Sequence, residues 1–381
     1  MNFEFDETQK MIQDLARRFA DEQLRPKAAA RDASHAFPVE ELKALADLGL
    51  MGVNVPAELG GAEAGVLSYS LAVAEIARGD ASVAVTMSVN NMVAEVLTEF
   101  GTEEHKATYV PKLTSGASLA GSFCLSEAGA GSDPQGMLTR AERTDTGWVL
   151  RGSKAWITSG SHAGVFIVWA KTEVDGKDRL SAFVVDPTTP GISVGKAEEK
   201  MGQRASNTVS LTFEDVELPE GAVLGELGRG MRIAMTALDG GRIGIASLAL
   251  GLATEALEVS RQYVTERTQF GSRLADFQNT QFKLADMATE LEAARLLTHQ
   301  AAWLKEHGTR RFTREASMAK LFASELASRA ADQAIQFFGG YGYTAEYPAE
   351  RLWRDARVTR IYEGTSEIQR IVIAREVLAG L

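Results

Sequence analysis

Glu363 is the side chain whose neighbours best suit it to chemistry. It stands between Tyr362 and Gly364 in a short loop, just ahead of a helix that Thr365 or Ser366 can cap. A carboxylate on such a loop can face a pocket, where desolvation by an apolar ligand raises its pKa towards that of a general base. Taken without its context, the same residue reads as a surface carboxylate. Three further stretches carry suitable residue types. Phe123 to Asp133 (FCLSEAGAGSD) leads from a strand into glycines, Ser126, Ser132 and Asp133. Backbone N–H groups there can approach a ligand, or the stretch is simply a turn. Its spacing is not a dinucleotide-binding fingerprint, and Pro134 follows with no helix pattern behind it. Lys154 to Gly160 (KAWITSG) sets Trp156 near Thr158. An aromatic and a hydroxyl suit the face and edge of a flat heterocycle, and a core tryptophan is the competing reading. Gln336 to Tyr343 (QFFGGYGY) adds aromatics and glycines ahead of the arginine-bearing stretch 351–357.

The elements that must position these residues fall into three blocks. Residues 1–118 read as helices. Phe5, Met11, Ile12, Leu15, Ala16 and Phe19 keep a helical stripe, and Pro38 opens a second helix that stops at Gly49. Further helical patterns cover about 68–78 and 82–99, and Gly101 and Gly116 bracket one more. Residues 119–228 change to short β-rich runs separated by Asp145-Thr146-Gly147, Asp175-Gly176 and Pro190-Gly191. They predict an antiparallel β-barrel or sandwich, not βαβ units. Residues 229–381 return to long helices at about 230–265, 276–306 and 314–338, the pattern of a bundle. The fold class is therefore mainly α with a middle β domain.

Composition narrows the function. Apolar residues make up 45% and charged residues 24% of 381 positions, enough to fill a large core and keep a polar surface. A net charge of -11 with no basic stripe argues against nucleic acid, while local arginines and helix N-termini can still hold a small polyanion. The single cysteine, Cys124, reads as a small buried hydrophobe in a strand. The five histidines include no HxxxH pair, so no metal site is expected. Met1 to Lys10 lacks the basic start of a signal peptide and the arginine- and serine-rich character of a transit peptide. No apolar run predicts a bilayer span. A cytoplasmic protein is expected, or a processed one of the mitochondrial matrix.

Five motifs in this order resemble the acyl-CoA dehydrogenase family over essentially the whole chain: LSEAGAGSD, KAWITSG, ERTQFG with QNTQF, QFFGGYGY and IYEGTSEIQR. LDGGRIGIAS and YPAERLWRDAR are most similar to its short-chain, butyryl-type branch. The resemblance implies an N-terminal helical domain, a middle β domain and a C-terminal four-helix bundle. It implies FAD, with Phe123, Leu125, Ser126, Ser132, Trp156 and Thr158 on the β-domain side. Arg267, Phe270, Gln278, Gln336, Gly339 and Gly340 would come from the adjoining subunit of a homotetramer, and Thr365 and Glu367 match the remaining FAD contacts. Ser132, Asp239, Arg242 and Gly364 match positions that touch the acyl-CoA ester. Glu363 would take the α proton while the β hydride passes to flavin N5, with the thioester oxygen held by the Glu363 N–H and a ribityl hydroxyl. An electron-transferring flavoprotein would then accept the electrons.

Relatives acting on isovaleryl or long-chain esters place their base at the position matching Gly241, which cannot serve here. Two residues depart from the pattern: Ala128 stands where proline is common, and Arg360 where Gln or Glu is expected, close to the catalytic loop. The helix around Met87 to Phe100 is expected to close the acyl pocket, and it contains no arginine that would favour a dicarboxylic ester. Other readings of the same pattern are an acyl-CoA oxidase or flavin monooxygenase on this fold, and a helical scaffold that has lost catalysis.

Overall fold

The structure is a computed structural model that describes residues 4–308 and 311–380, so the extreme ends of the first and last predicted blocks lie outside the described residues. Helices α1 (Glu7–Phe19), α2 (Ala28–Ser34), α3 (Val39–Asp47), α4 (Val66–Gly79), α5 (Ala81–Phe100) and α6 (Glu103–Thr114) come first. Asp6 and Gln9 cap α1 reciprocally, and Asp80 caps α5 through the Ser82 N–H at 2.8 Å. Ile12, Ala16 and Phe19 of the predicted stripe are buried, whereas Met11 is exposed because the stripe turns inward on one side only.

Eight strands follow: β1 (Ala120–Cys124), β2 (Arg140–Arg143), β3 (Gly147–Thr158), β4 (Ala163–Val174), β5 (Lys177–Val185), β6 (Ile192–Val194), β7 (Thr208–Pro219) and β8 (Val223–Leu224). They form one sheet in the order β6-β7-β3-β2-β4-β5-β8, with β1 also pairing β4. The expected antiparallel pairing holds except at β1–β4 and β2–β4, which are parallel. Parallel neighbours need a long crossover, and here the loop after β1 and the β2–β3 hairpin supply it for β1. Side-chain alternation along β4 decides which core each residue joins. Val165, Ile167 and Trp169 face the core shared with the helices, while Phe166, Val168 and Ala170 face a second core inside the β domain with the fully buried Cys124. Trp169 Nε1 donates to the Gly230 carbonyl at 2.8 Å, fastening the sheet to the next helix.

The remainder is α7 (Gly230–Glu266), a short hairpin of β9 (Thr268–Gln269) and β10 (Ser272–Arg273), then α8 (Gln278–His307), α9 (Thr313–Phe338), α10 (Pro348–Arg357) and α11 (Ser366–Leu378). Contrary to the sequence expectation, α7 is long and apolar enough to cross a bilayer by length and composition. It is 78% buried over that window, because it runs through the middle of the bundle against α4, α5 and α9. A helix apolar on all sides is the mark of a core helix. Arg354 on α10 ties the blocks together: it pairs with Glu350 at 2.6 Å and Asp32 at 2.7 Å, and donates to the Met201 carbonyl at 3.1 Å.

Candidate active site

Strands β1 and β3 bring the two middle motifs side by side. The Ser122 hydroxyl donates to the Thr158 carbonyl at 2.7 Å, and the Ala155 N–H to the Ser126 carbonyl at 3.0 Å. Beneath them Lys154, 1% exposed, pairs with Glu127 at 2.9 Å and donates to the Leu125 carbonyl at 3.2 Å. Glu127 also accepts from the N–H groups of Leu138 and Thr139 and from the Thr139 hydroxyl; the Leu138 N–H, the Thr139 hydroxyl and Lys154 hold its carboxyl below the usual range despite burial. These bonds tie together the segments that carry Phe123, Leu125, Ser126, Trp156 and Thr158 and form a floor under them. Trp156 is 63% exposed in a left-handed backbone conformation (φ 63°), so it is not the core tryptophan of the competing reading. Ser132 lies exposed on the loop beyond, and Ala128 sits in the exposed turn that Glu127 and Ala130 close.

Glu363 enters from the loop before α11, which Thr365 caps by accepting the Ile368 N–H at 3.3 Å. Glu363 and Gly364 are both left-handed, at φ 53° and 88°. The second needs glycine; the first is an uncommon conformation for a glutamate, which its surroundings must hold. The residue as a whole is half-buried, but Oε2 is sealed from water and has no hydrogen-bond partner. Gly241 on α7 lies directly opposite: a Cβ there would stand 2.7 Å from Oε2 and 3.0 Å from Met92 Sδ of α5. Burial raises the carboxyl to about 7, against the opposing pull of Arg242 and Lys320. Arg242 is buried, paired with Asp239 at 2.6 Å, and its Nε lacks a partner. Burial pulls the guanidinium down and the Asp239 carboxyl up.

A second group of predicted residues gathers elsewhere. Arg267, Gly339 and Gly340 line a cleft of about 430 Å³ together with Tyr263, Phe338 and Tyr341, none of which belongs to the Glu363 site. Phe270 on the β9–β10 turn is 96% exposed, Gln278 and Gln336 are exposed, and a Cβ at Gly339 or Gly340 would meet nothing within 4 Å. Glu367 is exposed in the first turn of α11. Among the described residues no cluster of three or more His, Cys, Asp or Glu could hold a metal ion.

Sequence reasoning missed three polar residues around the base. Gln369 and Lys320 donate to the backbone carbonyls of Glu363 and Gly364. Gln203 Nε2, on the β-domain loop, lies 3.1 Å from the Tyr362 hydroxyl and 3.2 Å from the Asp355 carbonyl. One signal was available for Lys320: a charge one turn after Ala316 and one turn before Ser324 on a buried stripe of α9.

An open aromatic shelf, a desolvated carboxylate and an exposed glycine-aromatic cleft fit a thioester-oxidising flavoenzyme, and this chain belongs to the acyl-CoA dehydrogenase family. Its residues 6–117, 122–216 and 228–378 match the N-terminal, middle and C-terminal domains of acyl-CoA dehydrogenase. The chain is 50% identical over 377 residues to the mitochondrial short-chain specific acyl-CoA dehydrogenase of Bos taurus, covering 98% of this chain and 91% of that one. It superposes on the butyryl-CoA dehydrogenase of Megasphaera elsdenii with a TM-score of 0.96 at 42% identity, covering 99% and 100% of the two chains. A chain from a structure of the electron transferring flavoprotein of Acidaminococcus fermentans gives a TM-score of 0.96 at 43% identity over 99% and 100%. The protein is thus an FAD-dependent oxidoreductase that dehydrogenates acyl-CoA thioesters.

Proposed function

We propose that Glu363 removes the α proton of a short-chain or branched short-chain acyl-CoA, giving the trans-2-enoyl-CoA. One observation carries the reading: Glu363 Oε2 is buried, has no hydrogen-bond partner, and packs so closely against Gly241 that any side chain at 241 would collide with it. A carboxyl held near 7 is ionised in a large fraction of molecules at neutral pH and is a stronger base than an ordinary glutamate. The N–H of Glu363 would hold the thioester oxygen as charge develops there. Ser132, Asp239, Arg242 and Gly364 would line the ester's path. FAD, when bound, supplies acceptance of the β hydride.

The residues present fit that cofactor. Phe123, Leu125, Ser126, Trp156 and Thr158 offer an exposed aromatic and hydroxyls on a floor fixed by the Lys154–Glu127 pair, with Ser132 on the exposed loop beyond and Thr365 and Glu367 at the α11 end. Arg267, Phe270, Gln278, Gln336, Gly339 and Gly340 form an open surface suited to the pyrophosphate and adenosine of a neighbouring subunit's FAD in the proposed homotetramer. Three units, 1–118, 119–228 and 229–381, would then each contribute to one site. An electron-transferring flavoprotein is the proposed acceptor, and the cytoplasm or mitochondrial matrix the proposed location.

The test is a panel of acyl-CoA esters from four to twelve carbons, with branched members, scored by anaerobic flavin bleaching. Fastest bleaching by the four- and five-carbon esters is expected, and so is slow reoxidation in air. Preference for the longest esters would overturn the substrate class, and rapid reoxidation without a flavoprotein acceptor would favour an oxidase.

A further inference from the structure

The loop carrying the base is held by two buried side chains that the proposed chemistry does not use. Lys320, in the middle of α9, is fully buried, yet its Nζ donates to the Gly364 carbonyl at 2.7 Å. Gln369, one turn into α11 and also fully buried, donates through Nε2 to the Glu363 carbonyl at 3.1 Å and the Gly364 carbonyl at 2.9 Å. Two successive carbonyls are thereby gripped by one ammonium and one amide, on Glu363 and Gly364, both of which adopt left-handed conformations. Both side chains are costly where they lie. A buried ammonium loses its hydration, and Gln369 Oε1 is buried without a partner, a loss that an apolar residue would avoid. Packing alone does not account for either; the three donated bonds do.

We propose that Lys320 and Gln369 are positioning residues that clamp the Glu363–Gly364 turn, with the Lys320 charge also stabilising the ionised form of Glu363. The clamp rests on Glu363 being the base. It acts through geometry first: the carbonyls point to Lys320 and Gln369, which fixes where the Glu363 side chain leaves the turn and so sets its approach to the ligand carbon. It acts through charge second. Burial pulls Lys320 down to about 7, with Glu363 pulling it back up, so that the two groups stabilise one another's ionised forms. The other charged or titratable groups facing this pair are Arg242 on α7, Glu325 on α9, Tyr69 on α4, Tyr362 in the loop and Glu367 on α11.

The experiment uses the FAD-loaded full chain. Lys320→Met keeps side-chain length and removes both donor and charge. The pH at which Glu363 takes up its proton, read as the carboxyl infrared band that Glu363→Gln abolishes, is expected to move up by about half a unit or more. Bleaching by a saturating four-carbon ester should fall about tenfold or more, while the ester Kd from flavin spectral perturbation stays within about threefold. Lys320→Arg, which keeps a cation, should bring the midpoint back. Gln369→Leu changes no charge, so it should slow bleaching and leave the midpoint in place. An unchanged midpoint and rate in Lys320→Met would overturn the proposal. If Lys320→Met does not fold, an unchanged rate in Gln369→Leu does so instead, and loss of folding in both makes the contacts structural and overturns it as well. Bleaching at the parental rate by Glu363→Gln would refute the base itself, whereas the clamp is judged by the infrared midpoint of Lys320→Met.

Discussion

Replacing Gly241 with alanine separates what α7 does for the fold from what it does for the reaction. The added Cβ would stand 2.7 Å from Glu363 Oε2, 3.0 Å from Met92 Sδ and 3.1 Å from Glu363 Cδ. Ordinary contact distances are about 3.5 Å or more, so the carboxylate must withdraw by roughly 0.5–1 Å. Both neighbours are the ends of flexible side chains, and the backbone can stay where it is. Alanine gains about 1 kcal/mol over glycine inside a helix, and crowding costs about 1–3 kcal/mol, so stability should change by no more than about 2 kcal/mol. The rate is far more sensitive: a misplacement of about 1 Å at a reacting group costs on the order of a hundredfold. Urea denaturation, flavin absorbance and stopped-flow anaerobic bleaching of G241A would measure the three quantities. A variant that keeps its FAD and bleaches within about threefold of the parent would show that Gly241 does not face the working position of the base.

Other outcomes follow from the same contacts. Because Glu363 must be ionised to act and burial lifts it to about 7, kcat/KM for ester-dependent bleaching should rise with pH about a midpoint near 7. The same shift enters stability: a carboxyl raised from 4.5 to about 7 contributes stability that is fully present below 4.5 and lost as pH rises through 7. Glu363→Gln should therefore flatten the decline in urea stability across that window, and an unaltered slope would contradict it. Lys154→Met leaves the buried Glu127 carboxylate without its cation and should cost about 3 kcal/mol in urea and loosen FAD; a loss below about 1 kcal/mol would contradict the pairing. Arg354→Ala cuts α10 from Asp32 and the Met201 carbonyl and should cost about 3 kcal/mol in urea without moving the bleaching midpoint.

Much of this was readable in order along the chain. The long helices of residues 230–338 announce themselves through apolar periodicity, and α7, α8 and α9 begin and end within a few residues of that pattern. Strand pairing was less legible. Whether β1 lies parallel to β4 is decided by a register across some forty residues, and no local run of Val165 to Trp169 encodes its partner. Glu363 was visible as a loop carboxylate beside glycine, but its desolvation comes from α5, α7 and α9, which are remote in sequence. Lys320 was legible only as a charge on the small-residue stripe of α9, and Gln369 looks like an ordinary helix residue until its carbonyl partners are known. Arg360 shows the same limit: its departure from the family pattern is met by Glu325, 3.0 Å away, which also accepts from Ser366 at the start of α11.

The most direct measurement is anaerobic single-turnover bleaching of Glu363→Gln, loaded with FAD and saturated with a four-carbon acyl-CoA. Glutamine is nearly isosteric and cannot take the proton, so FAD content and ester affinity should match the parent while the bleaching rate falls by about a thousandfold or more. A glutamine variant that bleaches as fast as the parent would place the base elsewhere and contradict the account.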